Sequence, residues 1–555
     1  MPLINSTNLY KIPLQLWCVS ACTGLLFLAG CDAQDHQLKI SQHPVSGGTL
    51  VYATDREPIC LDPHMRGDMP QAVLSRQYLD SLVSMDKNGD IGPWLATHWD
   101  ISPDGLSYTF YLRKDVRFTD GSPFNAAALK ANFEHIRNPK TQSATAVGYL
   151  HQYIRTDIVD DYTAVVHLQT PYAAFLEVLA QPFLGIESPI ALTRSVDANC
   201  ASPVGTGPFK VVRWDRQNQV VLERNADYNW APPTANHQGP AYLEQVLWKF
   251  ISEPSVRFAS LQAGEVDVID SLPPEAHEAA RQNPSLSLII SMRPGNPTNV
   301  TMNTRRPPFD DRRVREAFVR SADIEGALKS VFFGEFPRAG GPLTSTTPFY
   351  SSDFEHTQEY DPDRANQLLE EAGWKARDEE GYRIKDGKRL TAHLLTSNRA
   401  TPADLFLWEQ VQATSRKTGF ELVVEPLNDP QLTKRHIDWD YDMRVMYWNT
   451  NTADVLRIIF GSAFMGGATA GGYHQNTAGY SNELFDRTVE QALETQDPRK
   501  RRDLYHLAQK MASEQFLQLT TYPQSTRLGI QRTIKGVRLE NSLAITDLFD
   551  AQVEK

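Results

Sequence analysis

Alternation of apolar and polar positions is cleanest in SYTFYL, where Tyr108, Phe110 and Leu112 share one face and predict a half-buried strand. TLVYATDREPICLDPH (Thr49 to His64) predicts a β-branched strand running into a Pro-rich loop. TAVVHLQTP (Thr163 to Pro171), KVVRW after the GTGPF turn (Gly205 to Phe209), QVLWKFIS and DYDMRVMYW (Asp440 to Trp448) predict further strands. Between them the period changes. SPFNAAALKANFEHI, after a turn at Asp120-Gly121, predicts a helix opened by Ser122 with Pro123 first. PSVRFASLQAGEVDVI predicts another. PFDDRRVREAFVRSAD puts Val314, Ala317 and Phe318 on one helical face, with Asp310 and Asp311 at the positive end. In DPDRANQLLEEAGW, Asp361 can cap, Pro362 sits early and Gly373 can stop the helix. Helices and strands alternate throughout, so the class is α/β or α+β. No repeat and no long linker cuts the chain, so its halves can interleave.

One apolar stretch fits neither period. Ile12 to Gly30 follows a single cation, Lys11, is too interrupted for a comfortable membrane span, and turns polar abruptly after LLFLAGCDAQ. It has the make-up of a secretory signal, residues 1–30. Leu28-Ala29-Gly30-Cys31 resembles a bacterial lipobox, which implies that Cys31 is acylated and becomes the mature N-terminus, with Asp32 resembling an inner-membrane retention signal. Residues 31–48 read as a polar tether. Cys18 and Cys22 would leave with the signal, so Cys60 and Cys200 remain, either as a disulfide in an oxidising compartment or as two buried thiols. Removing 30 of 555 residues leaves 525, enough for more than one domain, since single cores stop growing near ~250–300 residues. A net charge of −12 argues against a nucleic-acid binder.

Catalytic signatures are absent from the sequence: no His-Glu-x-x-His, Cys-x-x-Cys, Gly-x-Ser-x-Gly or phosphate-binding Gly-x-x-x-x-Gly-Lys-Ser/Thr. GGATAGG (Gly466 to Gly472) lacks dinucleotide spacing and reads as a loop. The 14 histidines are scattered, none paired at i,i+4, and no metal site is readable. No cofactor is implied.

A long series of ordered motifs resembles the family 5 extracellular solute-binding proteins of ABC importers, the dipeptide, oligopeptide and nickel-binding group. They are CLDPH; GPWLATHWDISPDGLSYTFYLRKDVRFTDGSPFNAAALKANFEHI; PVGTGPFKVVRWDRQNQVVLERNADYNW; LQAGEVDVID; MNTRRPPFDDRRVREAFVRSAD; and YDPDRANQLLEEAGW. Trp94, Trp99, Gly105, Gly121 and Gly207 fall at scaffold positions. The resemblance implies an α/β fold of two lobes with a hinge and an interlobe cleft. Lobe I would take 49–290 and 515–555, and lobe II 291–514. It implies a binding protein without catalysis, a monomer that serves a permease and an ATPase and is held to the periplasmic face of the inner membrane by its lipid.

The resemblance also says where a ligand should sit. In MYWNTNTADVLRIIF, Trp448 matches the family's cleft tryptophan, but the ammonium-pairing Asp falls on Asn451. Asp454 matches a downstream, more structural Asp. The nickel-binding pattern's second aromatic falls on Thr452, its arginine on Phe183, and its first-lobe Trp near Tyr149 or His151. With two charged anchors replaced, the expected ligand is less charged or differently charged, and simple free-amine peptides bind poorly. Trp448, Asn449 and Asn451 should line the second-lobe side, and Tyr149, Phe183 and Asp55-Arg56-Glu57 the first. Peptides remain the default class. A metal-chelate, opine- or siderophore-like solute is the alternative; a sensor, a chaperone or an exported hydrolase on the same scaffold is the second.

Overall fold

The computed structural model describes residues 46–466 and 474–554. The signal segment, Cys31, most of the tether and nearly all of GGATAGG therefore lie outside the described residues. Two large sheets organise the rest. The first has seven strands in the order Leu286–Met292, Ser525–Gln531, Val268–Ile269, Thr49–Thr54, Gln245–Phe250, Gln219–Arg224 and Phe209–Asp215. Its centre is parallel, Thr49 lying opposite Gln245, and its two ends are antiparallel. The second sheet runs Glu421–Leu427, Thr391–Ser397, Met443–Asn449, Gly295–Met302 and Gln518–Thr520. A four-stranded antiparallel sheet includes Ser107–Leu112, whose Tyr108, Phe110 and Leu112 are buried as their alternation predicts.

Each large sheet has its own core. Leu50, Tyr52, Phe110, Leu129 and Trp248 belong to the first, and Val300, Phe318, Leu394, Trp408 and Met443 to the second. Separate cores on separate sheets make two lobes. The chain passes between them twice. It leaves the first sheet at Met292 and enters the second at Gly295, then returns between Thr520 and Ser525. The two crossings lie side by side, Arg293 N–H donating to the Gln524 carbonyl at 2.8 Å. Gln518–Thr520 pairs with Asn299–Thr301 in the second sheet.

Local chemistry explains where helices start. Asp311 and Asp361 cap Arg312–Ser321 and Pro362–Glu371, their carboxylates accepting from the backbone N–H of Arg313 and Arg364. The expected start at Ser122 is displaced: the helix is Ala126–Arg137, capped by Asn125, whose side chain accepts from Ala128 N–H. Ser122 is engaged by the preceding turn, its hydroxyl donating to Asp120 at 2.6 Å. The helix predicted through Ile269 ends at Gln262. Gly264 then turns the chain with φ +74°, and Val268–Ile269 joins the first sheet instead.

Candidate ligand cleft

Strand Met443–Asn449 carries its last residues to the edge of the second lobe, where Trp448 and Asn449 lie opposite Asn296 and Gly295. Gly295 has φ +119°, and a Cβ there would meet the Trp448 carbonyl oxygen at 2.0 Å, so only glycine lets the crossing strand lie this close. Trp448 is half-buried and its Nε1–H donates to the Tyr149 hydroxyl across the lobes at 3.3 Å. Tyr149 is fully buried at the end of the short helix Thr145–Tyr149. Burial pushes its pKa up, opposed by hydrogen bonds from Thr450, Trp448 and Gln181.

Below the aromatic pair the lobes meet through amides. Gln181 Nε2 donates to Asn451 Oδ1 at 2.6 Å and to Thr450 Oγ1 at 3.1 Å. Asn451 Nδ2 donates to the Glu177 carbonyl at 2.7 Å. Asn451 is thus held at both ends of its amide by the first lobe. The unpaired polar atoms here are instead Gln181 Oε1 and Asn449 Nδ2, both buried. Deeper in the seam, Arg501 meets Glu177 at 3.2 Å and Asp454 holds Arg457 by two bonds of 2.7 and 2.8 Å. Both pairs are largely buried. Around them the His151 Nε2, Tyr172 and Tyr505 hydroxyls, Glu177 Oε2 and the Arg501 Nε and NH2 groups lack hydrogen-bond partners. Buried polar groups left this way call for ordered water or a polar solute.

At the mouth, half-exposed Arg56 faces Tyr447 of the second lobe. Asp68 caps the helix Met69–Ser75; burial raises its pKa, opposed by the Gln71 N–H and by the charges of Arg56 and Arg399. The seam therefore presents both signs of charge, an aromatic wall, and neutral donors and acceptors.

The residues expected to line the cleft divide. Trp448, Asn451, Tyr149 and Arg56 have partners across the seam, and Asn449 is buried at the strand end beside them. Phe183, next but one to Gln181, is 2% exposed and packs in the first-lobe core, in the turn Pro182–Leu184. Glu57 turns away to accept from Gln217 N–H at 3.0 Å, and Asp55 pairs with Arg56 at 3.7 Å. Asp454 is committed to Arg457. Gln181, Glu177, Tyr447, Asp68, Arg399 and Arg501 were missed. Gln181 and Glu177 lie in FLEVLAQPF, one helical turn apart, and that spacing could have paired them on one face. Arg501 stands in PRKRRD among other cations that sequence cannot separate. Cys60 and Cys200 stand with Cα atoms 4.9 Å apart, sulfur beside sulfur.

Among known proteins, the profile of the bacterial extracellular solute-binding proteins, family 5 Middle, matches residues 90–466. The chain belongs to family 5 of the bacterial extracellular solute-binding proteins. The glutathione-binding protein GsiB of Pectobacterium atrosepticum is 30% identical over 462 residues, which cover 81% of this chain and 83% of the relative. Among solved structures, NikA of Brucella suis in complex with Fe(III)-EDTA has a TM-score of 0.80 at 24% identity, covering 91% of this chain and 100% of that one. DppA of Helicobacter pylori, an ABC transporter-associated periplasmic binding protein in complex with the peptide STSA, has a TM-score of 0.78 at 25% identity, covering 92% and 99%. Family 5 membership is in accord with two lobes and two crossings, and makes this chain a transport-associated binding protein of the cell exterior or periplasm. Among the described residues no helix is long and apolar enough to cross a membrane.

Proposed function

We propose that this chain captures a peptide or peptide-like solute between its lobes and delivers it to the permease and ATPase of an ABC importer. One observation carries the reading: Trp448 and Tyr149 meet across the seam beside the unpaired amide groups of Gln181 and Asn449. Aromatic walls hold an apolar body, and a few placed polar groups orient it. Arg56, Arg399 and Asp68 at the mouth suit a solute with both carboxylate and ammonium groups. The relatives support the class, since GsiB is named for glutathione and DppA is seen with a tetrapeptide. Lobe I follows the first sheet, 49–292 and 525–554, and lobe II the second, 295–520, with the two crossings as hinge.

In this reading Cys31 carries the lipid anchor, the protein works as a monomer, and Cys60 and Cys200 are oxidised in the first lobe. Cys31→Ser should release the protein from membranes. Thiol titration of the denatured, unreduced mature chain should find no free thiol. The ligand class is tested by native mass spectrometry of the purified protein, then calorimetry with glutathione and a di- to pentapeptide library. Saturable 1:1 binding of a member of that set is expected. A co-purified solute that is not peptide-like, with no binding across the library, would overturn the class.

A further inference from the structure

A second cluster of chemistry lies inside the first lobe, apart from the seam. The loop after the first strand brings Asp62 and His64, and the helix Ala126–Arg137 brings His135. Their ligand-capable atoms all lie within 4.8 Å of one another. Asp62 and His64 are buried, and His135 is partly so.

The hydrogen bonds fix how the rings are turned. His64 Nε2 lies 2.8 Å from the Gly185 carbonyl, which can only accept, so Nε2 carries the hydrogen and Nδ1 a lone pair. That Nδ1 has no hydrogen-bond partner on a side chain that is 0% exposed, and it faces Asp62 Oδ1 at 3.7 Å. On His135, the Thr141 hydroxyl donates to the His135 carbonyl at 2.6 Å and lies 3.4 Å from Nδ1. Its Nε2 lies 3.2 Å from Asp62 Oδ2, and since a carboxylate oxygen accepts, Nε2–H donates there until a bound cation takes the place of that hydrogen. Two imidazole nitrogens thus face one carboxylate, His64 with an unpartnered Nδ1 lone pair and His135 through an Nε2 whose hydrogen a metal ion would replace. Beside it, Asn199 Nδ2 bridges Asp62 Oδ2 at 3.1 Å and Glu187 Oε2 at 2.8 Å, while the buried Glu187 Oε1 is unpartnered.

We propose that Asp62, His64 and His135 form a binding site for a divalent cation of the zinc class, with Glu187 tied to it through Asn199. Tetrahedral zinc, with bonds of about 2.0–2.1 Å to nitrogen and oxygen, sets neighbouring ligand atoms about 3.3 Å apart. The distances of 3.2 and 3.7 Å run to Asp62 Oδ2 and Oδ1, and the three ligand atoms lie within 4.8 Å of one another, so the side chains must draw together by up to about 1.5 Å to meet that value. The second contacts match as well: a ligating histidine commonly donates its other N–H to a backbone carbonyl, as His64 does to Gly185. Two imidazoles and carboxylate oxygen favour zinc over magnesium or calcium, which prefer oxygen alone. The ion would join the loop of Asp62, the helix of His135 and the Glu187–Asn199 segment, just inside the Cys60–Cys200 pair. Its role would be to brace the first lobe, not to bind the transported solute.

The test uses the purified full chain, stripped with a chelator and dialysed against ZnCl2. One zinc per chain is expected, with a rise of several degrees in Tm. His135→Asn should abolish both, whereas His98→Ala, at an exposed ring stacked on Tyr111, should change neither. CoCl2 should give the intense visible bands of a tetrahedral site. X-ray absorption of the zinc-loaded wild-type protein needs no variant and should show two imidazoles with oxygen. No stoichiometric zinc, zinc indifferent to His135→Asn, or a shell without imidazole would each overturn the proposal.

Discussion

Asn451 shows how much one atom type decides. Its Nδ2 donates to the Glu177 carbonyl and its Oδ1 accepts from Gln181. Asn451→Asp keeps the acceptor but sets a second acceptor against the Glu177 carbonyl. Closing the lobes then leaves two oxygens facing one another unless a cation or ammonium lies between them. The variant is therefore expected to favour free-amine peptides over their N-acetylated forms more strongly than the wild-type protein does. Paired calorimetric titrations measure that ratio, and an unchanged ratio would remove Asn451 from the account of selectivity. The residue is legible in sequence as a departure from the family pattern. Its partners are not, because Gln181 stands 270 positions away and nothing local to either side chain announces the contact.

Elements were legible where local chemistry sets them. Asp311 and Asp361 cap the helices their sequence predicts, because a carboxylate just ahead of an apolar-periodic run can accept from the free N–H groups of the first turn. Ser122 looked equally suitable, but Asp120 takes its hydroxyl and Asn125 becomes the cap. The short strand Val268–Ile269 was hidden because its pairing with Thr49–Thr54 and Ser525–Gln531 is non-local. The GTGPF turn illustrates a requirement that sequence marks and structure explains. A Cβ on Gly205 would come within 2.0 Å of the Tyr78 carbonyl oxygen, and Gly207 N–H donates to that same oxygen at 3.0 Å. Gly205→Ala must push backbone from backbone in a well-packed core, at a cost of about 1–3 kcal/mol or more. Chemical denaturation should show a lower midpoint at similar slope; an unchanged midpoint would mean that the turn can relax freely.

At the scale of the whole molecule, function depends on how the lobes close. Away from the cleft, Glu335 of the second lobe meets Arg281 and His277 of the first, with His277 Nδ1 at 3.0 Å. Arg281, burial and His277 act on the Glu335 carboxyl, the first and last lowering its pKa and burial opposing them, and the net result is about 2. A depressed carboxylate stabilises the folded, closed form above its ordinary pKa of 4.5, and that contribution fades as pH falls toward 2. Glu335→Gln should therefore lower Tm at pH 7 by more than it does at pH 3, and scattering should find the variant more open at pH 7. An equal deficit at both pH values would show that the contact acts through packing and not charge.

The central claim is that the solute is held between the lobes against Trp448. Removing a large aromatic wall that a solute covers costs on the order of 1–3 kcal/mol. The most direct measurement is calorimetric titration of wild-type and Trp448→Ala protein with the same solute, first glutathione and then the best binder in the peptide library. The account predicts 1:1 binding to the wild-type protein and an affinity at least about fivefold weaker in a Trp448→Ala variant that remains folded. Equal affinity in the two proteins would contradict it and place the solute elsewhere.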